Sequence, residues 1–323
     1  MIFSKKNGLN RRQALMAAGG AIAAPFVLRS GIKSAEAGAP LLGASTPNHY
    51  RFKLGDFEVT TILDGSRAVD GPHPIFGQDQ TAEDVAALMQ QNHLASDKIV
   101  IGFSPVVVNT GKELVLFDTG FGGGGLTAGL KAAGYSPDQV DIVVLTHFHP
   151  DHISGTIVDG QPVFPNARYV TGQTEYDFWT ADGRDSGPTE RVAKLTSEKV
   201  VPLAEKTTFI GNEGDVVSGI TGLDSFGHTP GHMAYQIESN GKRILIWGDV
   251  ANHFVASIQR PDWHVRFDMD KEMAAATRKK IFDMAATDRI PVTGYHMPFP
   301  SLGYIEKTGT EYRWVPVSYQ LDL

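Results

Sequence analysis

The 323-residue sequence contains no cysteine. Disulfide bonds, a thiolate nucleophile and cysteine-ligated zinc or iron–sulfur sites are therefore excluded, and any metal must be bound by histidine and carboxylate side chains. The sequence also has no long basic run, and its 29 lysines and arginines are outnumbered by 36 acidic residues. This charge balance argues against a nucleic-acid surface, and we expect a small-molecule substrate instead.

The first 37 residues have the layout of an export signal. Basic residues flank a short apolar stretch at 14–28, and Ala35-Glu36-Ala37 provides a small-x-small cleavage site. The pair Arg11-Arg12 resembles a twin-arginine signal. The apolar stretch is shorter than the ~20 residues that span a bilayer, so we expect cleavage and no stable membrane anchor. The prediction is a signal peptide at 1–37, a single domain at 38–323, and a periplasmic or exported protein.

Strand and helix patterns are mixed along the rest of the chain, which predicts an α/β fold. Residues 50–64 have the pattern of two short strands around Gly55-Asp56, and 100–109 that of another strand. The apolar run at 140–145 is typical of a strand that is buried on both faces. Residues 271–286 are rich in strong helix formers and predict a helix.

The segment Thr-His-Phe-His-Pro-Asp-His directly follows that apolar run. His147 and His149 are two positions apart on extended backbone, so their side chains leave the same face and can bind one cation. Pro150 suits the first turn of a helix, which would direct Asp151 and His152 toward a second position beside the first. The segment therefore predicts two neighbouring metal sites.

One segment cannot complete two metal sites, so further ligands must lie elsewhere in the chain. His232, Asp249 and His296 each lie at the end of an apolar run, where functional side chains gather on α/β scaffolds. We predict that these three residues complete the sites. His228 precedes His232 in the same short loop, and we interpret it as a structural or outer residue of the site.

The order His-x-His-x-Asp-His, His, Asp, His resembles the metallo-β-lactamase superfamily, from about Gly55 to Pro300. The resemblance implies a four-layer αββα sandwich with the site at one edge of the sheets. It also implies one ligand set per metal: His147, His149 and His232 for the first, and Asp151, His152 and His296 for the second. Asp249 would bridge both metals, and Asp118 would be an outer partner that fixes a ligand imidazole.

Within the superfamily, the sequence is most similar to the branch of methyl parathion hydrolases and lactonases. The segments that carry this similarity are Leu54–Glu58, Asn109–Gly111, Phe164–Ala167, Asp177–Trp179, Arg278–Lys280 and Pro298–Pro300. The resemblance implies an aromatic substrate pocket, for which Trp179 and Phe121 are the candidates. It also implies a possible homodimer.

The function that follows is a metal-dependent hydrolase with two divalent cations, which we expect to be zinc. A metal-bridging hydroxide would attack a lactone, an aryl ester or an organophosphate triester, with Asp151 and Asp249 as the catalytic carboxylates. Three alternatives remain open at this point: a mononuclear iron dioxygenase similar to the persulfide dioxygenases, a thioester hydrolase of the glyoxalase II type, and a metal-binding module without catalysis.

Overall fold

The structure is a computed structural model that describes residues 41–318. The predicted signal peptide at 1–37 lies outside the described residues, so export stays a prediction. Within 41–318, no helix combines the length and the apolarity needed to cross a bilayer. Within the described part of the chain, residues 46–318 form one compact unit.

Strands dominate this unit, and helices fill several of the connections between them. In chain order the strands are β1 (His49–Leu54), β2 (Phe57–Ile62), β3 (Gly65–Asp70), β4 (Lys98–Phe103), β5 (Val106–Asn109), β6 (Leu114–Phe117), β7 (Ile142–Leu145), β8 (Ile157–Val158), β9 (Gln161–Pro162), β10 (Arg168–Gly172), β11 (Thr207–Ile210), β12 (Asp215–Val217), β13 (Ile220–Asp224), β14 (Met233–Ser239), β15 (Lys242–Ile246), β16 (Val292–Thr293), β17 (Leu302–Thr308) and β18 (Glu311–Pro316). The α-helices are α1 (Ala82–Gln91), α2 (Gly125–Ala132), α3 (Pro150–Ile153), α4 (Gln173–Thr180), α5 (Glu190–Lys199), α6 (Ala256–Gln259) and α7 (Lys271–Thr287). Short 3₁₀ helices cover Pro137–Gln139, Gly187–Thr189 and Val201–Lys206.

Two seven-stranded sheets form the framework. The first has the strand order β1-β2-β5-β6-β7-β10-β11, and the second has the order β12-β13-β14-β15-β16-β17-β18. The first sheet is antiparallel from β1 to β6 and parallel from β6 to β11. Two small ribbons, β3–β4 and β8–β9, lie outside both sheets.

Apolar side chains fill the space between the sheets and the space between each sheet and its helices. Val144 of the first sheet and Tyr235 of the second belong to the central core. Leu126 of α2 packs in a second cluster on the outer side of the first sheet, and Phe282 of α7 packs beside Trp247 on the second sheet. Burial of each such side chain stabilises the fold by about 1.5–3 kcal/mol. The layers follow the order helix, sheet, sheet, helix, which confirms the predicted αββα sandwich.

The single strand predicted at 100–109 is wrong, because the structure divides this segment into β4 and β5. Pro105 has no N–H to donate, and it restricts the preceding Ser104, so the strand is interrupted between them. The β4 half pairs with the exposed strand β3, which has no alternating apolar pattern and was not predicted. This β3–β4 ribbon lines the cavity described below.

Candidate metal centre

The histidine-rich segment follows β7, whose four residues are all buried. The N-cap of the short helix α3 is His149, and Pro150 occupies the start of the helix, as predicted from the sequence. The helix carries Asp151 and His152 away from the strand axis. The strand end and the helix thus offer ligands in two neighbouring positions.

Two groups of side chains converge at this edge of the sandwich. The first cluster is His147, His149, His228 and Asp249, and the second cluster is Asp151, His152 and His296. Within each cluster, one nitrogen or oxygen atom per residue lies within 4.8 Å of the others. Every predicted ligand except His232 belongs to one of the two clusters.

The Asp249 carboxylate lies between the clusters. Its Oδ2 atom is 3.2 Å from His228 Nε2 and 3.2 Å from His296 Nε2. Its Oδ1 atom is 3.4 Å from His152 Nε2 in the second cluster. This position between both groups is the one predicted for a bridging carboxylate.

The first cluster contains His228, which the sequence did not predict as a ligand, while the predicted ligand His232 lies beside it. Both ring nitrogens of His232 are engaged elsewhere: Nδ1 hydrogen-bonds to Ser225 Oγ at 2.8 Å, and Nε2 accepts the backbone N–H of Asp249 at 3.0 Å. The ring packs closely against Gly248, where an added Cβ atom would lie 2.8 Å from His232 Nε2. His232 thus supports the Asp249 loop, and its ring lies beside the first cluster, with its centre 4.9 Å from that of His147.

Hydrogen bonds from outside the clusters fix the orientation of the ligand rings. Asp118 Oδ2 lies 2.8 Å from His152 Nδ1. This contact corresponds to the outer-partner role that the resemblance implies for Asp118. Asp268 Oδ1 is 2.8 Å from His228 Nδ1, and its other oxygen accepts from the fully buried Arg278 at 2.7 Å. Such partners leave Nε2 of each ring directed into the site. Asp268 lies far along the chain from the histidines, and no sequence pattern marked it.

Burial controls the protonation of the first cluster. It lowers the pKa of His149 to about 3 and holds the pKa of His147 well below its usual value. Both rings are therefore neutral at pH 7, which is the form that binds a cation. Burial also acts on His228, but the carboxylates of Asp249 and Asp268 outweigh it and raise the pKa of His228 to about 9. A cation at His228 therefore has to displace a proton.

Several ligand atoms are buried without a hydrogen-bond partner among residues 41–318. They include His147 Nε2, His152 Nε2 and Asp249 Oδ1. An unpaired buried polar atom is costly and rare in folded proteins. Since these atoms face one another and combine imidazole nitrogens with carboxylate oxygens, the residues fit a pair of divalent cations.

A cavity of about 350 Å³ opens onto the clusters and reaches His149, Asp151, Asp249 and His296. Its apolar wall includes Val69, Phe76, Ile101, Phe103, Phe121 and Phe267. The predicted substrate residue Phe121 thus lines the cavity, 45% exposed, with its ring edge-on to Phe103.

Trp179, the other predicted substrate residue, does not line this cavity. It is only 3% exposed and packs among the apolar side chains on the outer side of the first sheet. Its indole N–H donates to Glu175 at 2.7 Å. Its ring centre is 6.5 Å from that of His149, but the indole is buried and does not reach the cavity predicted to hold substrate.

Comparison with known families identifies the class of the protein. The model of the metallo-beta-lactamase superfamily matches residues 104–292, which is more than half of the chain. The chain therefore belongs to the metallo-β-lactamase superfamily. This result confirms the resemblance predicted from the histidine and aspartate order.

Two curated relatives are N-acyl homoserine lactonases. The protein from Bacillus thuringiensis is 30% identical over 112 residues, which cover 34% of this chain and 38% of that protein. The protein from Bacillus cereus is 24% identical over 153 residues, which cover 47% of this chain and 54% of that protein. The matched region is therefore well short of the full length of either relative.

Solved structures match over more of the chain. AidC, a dizinc quorum-quenching lactonase solved in complex with its product N-hexanoyl-L-homoserine, has a TM-score of 0.79 and 26% identity, covering 85% of this chain and 99% of that chain. The hydrolase AbOPH of the β-lactamase superfamily has a TM-score of 0.78 and 28% identity, covering 86% and 100%. Together with the clusters, these relatives indicate a metal-dependent hydrolase.

Proposed function

We propose that the protein is a dinuclear zinc hydrolase that opens the ring of N-acyl homoserine lactones. The observation that carries this proposal is the apolar cavity that ends on Asp151, Asp249 and His296. A largely apolar cavity with a few polar groups at one end fits a substrate with an acyl chain and one reactive carbonyl. The relatives named as lactonases support this substrate class.

The metals and the protein contribute different parts of the chemistry. The two clusters would hold two divalent cations, which would supply a water of lowered pKa and polarise the scissile carbonyl. Asp249 holds the two ligand groups together, since its oxygens approach histidines of both clusters. Asp151 lines the cavity with its side chain 16% exposed, so it is placed to orient the attacking water. The aromatic wall holds the acyl chain and excludes bulk water.

Aryl ester hydrolysis is a second candidate activity, because Phe76, Phe103, Phe121 and Phe267 give the cavity an aromatic lining. Aromatic side chains pack favourably against an aryl leaving group. Organophosphate triesters with aryl leaving groups would use the same surface. The second cluster argues against the mononuclear dioxygenase alternative, because Asp151, His152 and His296 converge as a complete ligand group.

A substrate panel tests the proposal on the purified, zinc-loaded protein. The panel contains N-hexanoyl-L-homoserine lactone, dihydrocoumarin, p-nitrophenyl acetate and paraoxon. We expect kcat/KM for the homoserine lactone to exceed about 10⁴ M⁻¹ s⁻¹, within the ordinary enzyme range, and to be the highest of the panel.

Zinc content is measured on the same sample, which separates loss of metal from lack of activity. A sample that holds two zinc ions per chain and hydrolyses no lactone would contradict the proposed function. A higher kcat/KM on p-nitrophenyl acetate or paraoxon would instead favour the aryl ester or phosphotriester activity.

A further inference from the structure

Glu175 is a charged residue in the interior that belongs to neither ligand cluster. It lies in the first turn of α4 and is 0% exposed. Burying a carboxylate is costly unless hydrogen bonds compensate it. The partners of Glu175 therefore indicate what it contributes to the protein.

Four donors surround this carboxylate. Oε1 accepts from the backbone N–H of Phe148 at 2.9 Å and from Trp179 Nε1 at 2.7 Å. Oε2 accepts from Thr229 Oγ1 at 2.7 Å and from the backbone N–H of Gly231 at 3.0 Å. Burial raises the pKa of Glu175, and these four hydrogen bonds oppose the rise. Four donors match the acceptor capacity of an ionised carboxylate.

Three of these donors belong to the two loops that carry the histidines of the first cluster. Phe148 lies between His147 and His149 in one loop, and Thr229 directly follows His228 in the other. The imidazole nitrogens His149 Nδ1 and His228 Nε2 are 2.9 Å apart, although the two residues are distant in sequence. One carboxylate thus joins both loops just behind the point where their histidines meet.

Close packing between α4 and the loop that carries His228 reinforces the link that Glu175 makes between the two loops. A Cβ atom at Gly231 would lie 2.0 Å from the backbone nitrogen of Glu175, so only glycine allows this approach. The loop therefore rests directly on the first turn of the helix. Glu175 is the charged group at that contact.

We propose that Glu175 is a positioning residue that holds the two histidine loops of the first cluster at the separation a bound cation requires. A site that is held in place before the metal arrives binds it more tightly, because less chain ordering accompanies binding. The negative charge behind the ligands also favours a cation in front of them. This inference rests on the metal site of the proposed function, but it concerns zinc affinity and not the identity of the substrate.

The test variant is Glu175→Gln, which keeps the shape of the side chain and removes its charge. The glutamine amide can face Thr229, whose hydroxyl can turn and accept, but the N–H of Gly231 then loses its acceptor. The variant is made in a His296→Ala background, so that the first cluster is the complete site that remains. Zinc affinity is measured by competition with a chelator, and folding is checked by circular dichroism.

We expect Glu175→Gln to weaken zinc binding at the first cluster by about 10–100-fold, the range typical for residues that orient metal ligands from outside the site. The matched control is Thr196→Val in α5, another fully buried polar side chain, whose hydroxyl has no hydrogen-bond partner among the described residues. We expect Thr196→Val to leave zinc affinity unchanged. Unchanged affinity in Glu175→Gln, or an equal loss in the control, would overturn the proposal.

A second variant keeps the proposal testable if Glu175→Gln fails to fold. Thr229→Val removes one of the four hydrogen bonds and should weaken zinc binding in the same direction by a smaller factor. Full zinc affinity in Thr229→Val would then overturn the proposal. Because these measurements use no substrate, a protein that binds two zinc ions but opens no lactone would contradict only the proposed function.

Discussion

Replacing His228 by alanine should reduce kcat/KM by more than about 100-fold and remove one zinc ion per chain. The reason is that His228 Nε2 points into the first cluster, 3.2 Å from Asp249 Oδ2 and 2.9 Å from His149 Nδ1. Loss of an outer partner alone typically costs 10–100-fold, so loss of a ligand should cost at least as much. Kinetics and zinc content measured on the same purified sample check this expectation.

His232→Gln is the matched comparison, because this histidine lies in the same loop and was the ligand predicted from the sequence. Its Nε2 accepts the backbone N–H of Asp249, and a glutamine side chain can still provide an acceptor. We expect a smaller loss of activity and two zinc ions per chain. If His232→Gln lost a zinc ion while His228→Ala kept both, the ligand assignment would be wrong.

Asp249→Asn should also greatly reduce both activity and zinc binding, because this carboxylate approaches histidines of both clusters. The amide keeps the size of the side chain but removes the charge that offsets two neighbouring cations. We expect more than about a 100-fold loss of kcat/KM and at most one tightly bound zinc ion. Activity assays and equilibrium dialysis against zinc measure both quantities.

Asp141→Asn controls for the same chemical change at the opposite end of β7. Asp141 accepts the backbone N–H of Leu114 at 2.8 Å and lies outside both clusters. We expect normal zinc content and nearly normal activity in this variant. Two tightly bound zinc ions in Asp249→Asn would contradict the proposed bridging position.

Local sequence patterns were sufficient to predict one half of the site. The spacing of His147 and His149 on extended backbone, and the position of Pro150 at the start of a helix, follow from backbone geometry alone. The structure has the same arrangement, with α3 beginning at Pro150. The apolar run before the motif similarly predicted the buried strand β7.

The other half of the site depends on contacts between distant parts of the chain. His228 and His232 lie in one loop, and each could have been the ligand on sequence grounds. In the structure, Asp268 holds His228 Nδ1, whereas Ser225 and the Asp249 backbone engage His232. No local periodicity encodes these partners.

Glu175 and Trp179 illustrate the same limit in another part of the fold. No sequence pattern fixes the rotation of α4 about its own axis. That rotation turns the Trp179 indole away from the cavity and toward Glu175, and it brings Glu175 to the two histidine loops. Exposed strand β3 was missed for a different reason, since its side chains do not alternate between apolar and polar.

The most direct test of a two-cation centre is a zinc titration of metal-free protein in which bound zinc and hydrolysis of N-hexanoyl-L-homoserine lactone are followed together. We expect zinc binding to saturate at two ions per chain and activity to reach its maximum only as the second ion binds. Maximal activity with a single ion bound per chain would contradict a two-cation centre.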